Sequence, residues 1–539
     1  MRVEPIKLHN TSNLIKQYRE NDESIMQYFD YSPFHSYGQR VKDLQKRSFR
    51  REQLAETLHA MNEEWGAPTS TFENIERLKQ DNSVVVIGGQ QAGLLTGPLY
   101  TINKVISIIQ FARKQEAELN IPVIPVFWIA GEDHDYDEVN HVYTQNQTKI
   151  KKVTLAQQVD EKQPVSSIKL EEKHMNKWLN QLFTQLNETQ HTKTLYDEIK
   201  RCLHESKSMV DFFARVIFQL FKEEGLVLMD SNDTRIRSYE SEYFELMIEK
   251  QPDIAKAVYQ TYHSLKQSGY AIDLEPEEDD AHLFYLHENE RILLKRETKD
   301  LWVGKQNEVE LSTDELLEAA RKSPCLLSNN VVTRPIMQEL VFPTLAFIGG
   351  NGEISYWAVL KKAFHSLDLQ VPPVLPRLSF TYVDYALQKR LAKLTISMEH
   401  AILNGVDDLK VNWLASHANP PIDAITEQVK LSIEKLHQPL QEIAGDIRAD
   451  LSGLAKKNLA YLHKEVDFLK QQMLRALEEK YANEIKSFDM ISNQLHPLGV
   501  LQERIWSPLE WMNNYGFEFM KPLIDVDCSF EEEHYVVYI

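Results

Sequence analysis

Cysteine is nearly missing from this chain of 539 residues: Cys202, Cys325 and Cys528 are its three, odd in number and far apart. Such spacing supports neither a disulfide framework nor a CxxC metal knuckle, and it suits a reducing compartment. Long apolar runs are missing as well. No stretch approaches the ~20 residues of a membrane span, and the opening MRVEPIKLHN lacks the apolar core of a signal peptide. A cytoplasmic protein with no membrane partner is therefore expected. Positive charge is in deficit: 60 Lys and Arg face 80 Asp and Glu, a formal net charge of -20, which would repel a polyanion and makes nucleic acid a poor partner. There is no GxSxG elbow, and no cysteine adjoins a catalytic-looking histidine, which disfavours a covalent protein intermediate.

What is present is an ordinary globular composition, 42% hydrophobic and 26% charged, in a chain long enough for several domains. Residues 84–88 (VVVIG) and 123–130 (VIPVFWIA) are β-branched and aromatic runs separated by helical spacing, a βαβ unit. In that helix Leu99, Ile102, Ile106 and Ile109 share a face, with Gly97 as N-cap and Pro98 at the first helical position. LVLMD at 226–230, after a helix over 207–224, and TLAFIG at 344–349, before a helix from 353, repeat the alternation. An α/β fold with an open parallel sheet follows. The more polar stretches 146–205 and 240–325 read as insertions able to form lids, with EPEEDD, Glu275 to Asp280, as a solvated loop.

From Ile425, the apolar positions Val429, Ile433, Leu436, Leu440, Ile443 and Ile447 advance in steps of three and four; a second set runs from Leu462 to Ile485. The phase breaks near Asp450 to Leu454, where Gly453 weakens a helix, so two antiparallel helices of roughly 30 residues are expected. Their uncovered stripe predicts a homodimer; packing of the stripe on the core is the competing expectation. The expected organisation is a core over 1–145, 206–239 and 326–384, insertions over 146–205 and 240–325, a helical arm over 385–490, and a segment over 491–539 returning to the core.

Three loops carry chemistry. VVVIGGQQAGLLTGPLYTINK, Val84 to Lys104, is strand, glycine-rich turn and helix. Gly88, Gly89 and Gly93 allow close backbone approach there, and free amides near Pro98 and Leu99, with charge from Lys104, could hold phosphate or carboxylate. The bland reading is a tight turn with a solvated Lys104. In IPVIPVFWIAGEDHDYDEVNH, an apolar strand runs into Glu132, Asp133, His134 and Asp135, groups expected at the carboxyl end of a parallel strand. His134 could be a general base, with Asp133 or Asp135 holding an ammonium or orienting the imidazole. A metal on His134, Glu138 and His141 would need all three on one helical face and lacks a known zinc spacing. In the third loop, Gly349, Gly350, Asn351 and Gly352 make another strand-to-helix turn, and Arg334 could clamp an anion, unless it pairs with an acid such as Glu339.

Together these segments resemble the bacillithiol biosynthesis cysteine-adding enzymes. GGQQAGLLTGPLYTINK, WIAGEDHDYDEVNH, and TRPIMQE followed by FIGGNGEISYW stand in that family's order, and PLGVLQERIWSP, Pro497 to Pro508, matches its C-terminal signature. The likeness spans essentially the whole chain. It implies a Rossmann-like parallel-sheet core with two inserted connective subdomains and a C-terminal antiparallel coiled-coil arm that dimerises. It also implies the final step of bacillithiol synthesis, joining cysteine to glucosaminyl malate. The core resembles the nucleotidyl-transferase fold of class I aminoacyl-tRNA synthetases, which suggests an adenylate, yet HIGH and KMSKS are absent and Gln90 and Gln91 stand near where the histidine motif would fall.

A cysteine carboxylate is a poor electrophile, so ATP with Mg2+ is the expected activating agent, and no zinc is expected. In this scheme Gly89, Gln90, Gln91, Gly93 and Lys104 hold phosphate or the activated carboxyl group. Arg334, Gly350 and Asn351 position the other anionic end, and His134, beside Glu132, Asp133 and Asp135, deprotonates the attacking amine. The competing reading is a noncatalytic coiled-coil adaptor with a degenerate nucleotide fold.

Overall fold

The computed structural model describes residues 1–8, 11–146, 148–159, 162–418 and 421–539. The chain divides into two compact units, one of Met1–Asn146, Lys151–Val383 and Gln502–Ile539, the other of Gln147–Ile150 and Asp384–Leu501.

The first unit is built on an all-parallel sheet of β1 (Val84–Gln90), β2 (Val123–Ile129), β3 (Val227–Asp230), β4 (Thr344–Gly349) and β5 (Val374–Pro376), in spatial order β5-β4-β1-β2-β3. All seven residues of β2 are buried, which is why its apolar run is unbroken rather than alternating. Helix α1 (Leu99–Leu119) connects β1 to β2; Pro98 is its N-cap, so it starts one residue later than the spacing suggested. Asn120, in the left-handed region at φ 53°, ends it. Helix α2 (Met209–Leu220) opens on a Ser208/Asp211 capping box and leads into β3.

Helix α3 (Thr234–Gln267) runs unbroken through the boundary placed at 239/240, so the second insertion leaves the core on a rigid element. That insertion carries an antiparallel sheet of Glu310–Ser312, Leu301–Gly304, Glu290–Arg296, Asp280–His287 and Leu327–Asn329, in that spatial order. Asp280, the last residue of the acidic run, opens one of these strands and is buried 2.7 Å from Lys305 Nζ. Helices α4 (Thr333–Val341) and α5 (Asn351–Trp357) flank β4. A third sheet pairs Arg2–Ile6 antiparallel with His534–Tyr538, which lies parallel to Phe380–Val383. No described helix is long and apolar enough to cross a membrane.

The second unit contains α6 (Ile422–Ile447) and α7 (Ala449–Lys480), antiparallel partners joined by the ion pairs Lys470–Asp423 and Lys430–Asp467, both 2.5 Å. The reversal is at Arg448, whose backbone is extended (φ -167°, ψ 132°), and not at Gly453. Gly453 lies inside α7 with open space where a Cβ would stand. Gly453→Ala should therefore stabilise the arm by about 0.5–1 kcal/mol through helix propensity, read as a higher helix-melting midpoint; a lower midpoint would return the turn to that glycine. Leu436, Leu440, Ile443 and Ile447 remain 56–79% exposed.

Candidate active site

The sheet reverses direction of winding at β1: β2 and β3 extend to one side, β4 and β5 to the other. In an open α/β sheet this switch point is where a crevice forms, outside the carboxyl ends of the strands. Two of the three loops meet there through Lys104. It is buried, and its Nζ donates to Gly89 O (2.7 Å), to Gln90 Oε1 (3.3 Å) and to Glu353 Oε2 (2.6 Å). The same Glu353 oxygen accepts the Gly350 N–H at 2.7 Å. Burial pulls the Lys104 ammonium down from its ordinary value, against Glu353. Lys104 is thus neither a solvated lysine nor a charge left over for a ligand; it ties the β1 turn to the β4 turn.

The anion site expected at the start of α1 is also taken. Leu99 N–H donates to Trp506 O at 2.7 Å, and Gly97 N–H to Leu94 O at 2.9 Å, so the returning C-terminal segment occupies the helix end. Two of the amides nearest the helix start are thus already engaged within the protein. The glycines answer to packing instead: a Cβ on Gly89 would sit 2.6 Å from Trp128 O, and one on Gly93 2.7 Å from Gly97 Cα. Gln90 ends β1, and Gln91 follows it half-buried.

The acids beyond β2 are paired as well. Glu132, wholly buried, accepts from Arg334 Nε (2.7 Å) and from an Arg237 terminal nitrogen (2.5 Å). Asp133 Oδ1 accepts from Arg334 at 2.6 Å and lies 3.4 Å from Arg291, while Arg237 also binds Glu240 at 2.9 Å. Burial pushes the Glu132 carboxyl up, but Arg334, Arg237 and Arg291 together hold it below its ordinary value. For Glu240 burial wins, and its carboxyl is pushed up to about 8. Arg334 therefore commits Nε and one terminal nitrogen to Glu132 and Asp133. It does not pair with Glu339, which is held by Arg40 at 2.7 Å and by Arg47.

His134 is different. It is half-buried, and its Nδ1 is sequestered from solvent without a hydrogen-bond partner among the described residues. Burial, then Arg291, lower its pKa against Asp135 and Asp133, which leaves the imidazole neutral near pH 7. Asp135 is exposed and precedes a single turn, Tyr136–Val139. His141 already belongs to the next strand, so the helical face that would have joined His134, Glu138 and His141 on a metal is not formed. Asn351 stands exposed at the start of α5, after the half-buried Gly350.

The three stretches converge. Lys104 links the first to the third, Arg334 on the third binds the acids of the second, and Tyr356 on α5 stands between: burial and then Glu353 push its phenol up, against Arg334. Sequence reasoning missed Arg237 and Arg291. It also missed Arg377, just past β5, whose N–H donates to Gly349 O at 2.8 Å and whose guanidinium grips Glu503 at 2.8 and 2.6 Å. Glu503 is buried and accepts from Asn103 (2.7 Å) and Ser379 (2.8 Å) as well. Burial works against its charge, and Arg377 outweighs that to hold the carboxyl at about 2. The signal available was QER inside the C-terminal signature.

Family models match both parts of the chain: "Bacillithiol biosynthesis BshC, N-terminal Rossmann-like domain" over residues 1–378, and "Bacillithiol biosynthesis BshC, C-terminal coiled-coil domain" over 380–539. A relative from Oceanobacillus iheyensis named "Putative cysteine ligase BshC" is 41% identical over 544 residues, covering 100% of both chains. Relatives of the same name from Geobacillus sp. (strain WCH70) and Bacillus velezensis are 40% and 37% identical, again with 100% of both chains covered. With a Rossmann-like core, a helical coiled-coil domain and full-length relatives at this identity, the chain belongs to the BshC family of bacillithiol biosynthesis.

Proposed function

We propose that this chain is a carbon–nitrogen ligase acting in the cytoplasm, which completes bacillithiol by forming an amide between the carboxyl group of cysteine and the glucosamine amine of glucosaminyl malate. The observation that carries this reading is the placement of His134, with Nδ1 buried and without a hydrogen-bond partner among the described residues, on one of three loops gathered at the carboxyl ends of parallel strands, where burial and Arg291 lower its pKa. A glucosamine amine is protonated much of the time near neutral pH, and a neutral imidazole is suited to take its proton as the bond forms. Exposed Asp135 is placed to receive the ammonium before that transfer, and Gln91 and Asn351 offer neutral hydrogen-bonding groups at the rim.

The cysteine carboxylate needs activation, for which ATP with Mg2+ is proposed on chemical grounds. No step is routed through the Gly89–Leu99 turn, whose Gly93, Gly97 and Leu99 amides are engaged, as is Lys104. One observation favours the adaptor alternative: the acids at the end of β2 are neutralised by arginines rather than left for a ligand. Mixing purified protein with cysteine, glucosaminyl malate and ATP in the presence of Mg2+ and following the masses decides. Cysteinyl product with AMP or ADP supports the ligase; no product with all three present defeats it.

The arm supports a second proposal, a homodimer. Its uncovered stripe of Leu436, Leu440, Ile443 and Ile447 is of the kind that a second copy covers. Light scattering should give twice the chain mass, falling to the monomer value in a Leu440→Glu, Ile447→Glu double variant. A monomer at every concentration in the parent would end the proposal.

A further inference from the structure

The inserted antiparallel sheet reaches the candidate site through Arg291 and Phe284. Arg291, on the strand Glu290–Arg296, is nearly buried and lies with its guanidinium carbon 3.8 Å from the centre of the Phe284 ring on the neighbouring strand. That ring and the His134 imidazole meet in a T-shaped arrangement, with centroids 6.2 Å apart at 66°. The guanidinium is fixed on its other sides: Nε donates to Ser328 Oγ at 2.9 Å, one terminal nitrogen to Asn329 O, and the other lies 3.4 Å from Asp133 Oδ1. A planar, multiply bonded cation stacked on an aromatic is a rigid wall, which a lysine could not reproduce.

We propose that Arg291 is a positioning residue for His134: through Phe284 and Asp133 it fixes the ring and the loop that carries it, so that the inserted sheet is part of the catalytic apparatus rather than a remote lid. This rests on the reading of His134 as the base. Among the described residues, the charges facing the imidazole are Asp133 and Asp135 on its own loop, Arg291 on the inserted sheet, and Lys162 on the stretch that docks on the loop through Val165 N–H and Asp133 O at 2.8 Å. Arg291 acts on the imidazole in the same direction as burial, keeping it unprotonated. No atom of Arg291 need touch substrate.

Two readouts test this on the full chain. The first is the titration of the His134 imidazole by carbon-13 NMR of histidine-labelled protein, its signal assigned by loss in His134→Gln. The second is the pH profile of product formation. Arg291→Met should raise both the titration midpoint and the acid limb of kcat by about one pH unit, and lower kcat by about tenfold or more, with KM for cysteine changed less than about twofold. Arg291→Lys should keep the midpoint near the parent value yet lose turnover, because the charge stays and the stack does not. Phe284→Leu, which leaves the Arg291 charge and hydrogen bonds in place, should likewise keep the midpoint near the parent value and lower kcat by about tenfold, and it carries the test if the Met variant does not fold; parent-like turnover in it overturns the role of the stack. An unmoved midpoint and acid limb in Arg291→Met, or a loss expressed in KM alone, overturns the role of Arg291 while leaving His134 as the base. Parent-like turnover and pH profile in His134→Gln overturns both.

Discussion

His134→Gln is expected to lower kcat for cysteinyl product by about 100- to 10,000-fold, the range typical for loss of a general base. KM for both substrates should change only a few-fold. The reasoning starts from where the strand ends. β2 is buried along its whole length and delivers its loop to the carboxyl side of the sheet, where the imidazole is half-enclosed and Nδ1 has no partner among the described residues. Burial and Arg291 keep it neutral at pH 7, so it accepts a proton without first having to lose one. Since the side chain makes no structural hydrogen bond through Nδ1, glutamine should fold normally, and the loss should fall on the chemical step alone. The acid limb of the parent's kcat profile, lying below the ordinary histidine range, should vanish in the variant. Turnover within a few-fold of the parent would remove His134 from this role.

The second large effect is on stability. Glu132→Gln should cost about 3–5 kcal/mol, because it leaves Arg237 and Arg334 facing one another in a buried site without the carboxylate that both bind. Exposed Asp135→Asn serves as the control and should change stability by less than about 0.5 kcal/mol. Equilibrium urea unfolding of the two variants checks the contrast, and equal midpoints would refute it. The pH sign follows from the depressed Glu132 carboxyl: its contribution is present above its unfolded pKa and is lost as pH falls through the folded value. Buried Glu240, pushed up to about 8, has the opposite sign; its contribution is greatest when protonated and is lost as pH rises toward that value. The difference between parent and Glu132→Gln should therefore shrink on acidification.

Four of the five parallel strands were legible because buried parallel strands are continuous β-branched runs, with TLAFIG bounded as read at 344–349. β5 was not: three residues ending in Pro376 carry no period. The two-helix arm was legible from its heptads, but its turn was assigned to the weakest helix former, Gly453, when the chain reverses by one extended residue five positions earlier, at Arg448. In the site, the glycine-rich turns and the acid cluster stood out by composition. Their partners did not. Arg237 reaches Glu132 across 105 positions, and Arg291 reaches Asp133 across 158, distances over which local spacing says nothing. The same blindness made Lys104, Arg334 and the Leu99 amide look available to a ligand, since only tertiary structure reveals that Glu353, Glu132 and the Trp506 carbonyl already hold them.

The pairing of Arg2–Ile6 with His534–Tyr538, and the capping of α1 by Trp506, cannot form until the end of the chain has been made. A ribosome releases β1, β2 and the loop bearing His134 long before it supplies Trp506 for Leu99 and Glu503 for Arg377, whereas α6 and α7 are contiguous and close on themselves as soon as they emerge. The arm can thus complete its own pairing while the crevice still waits for the segment that closes it.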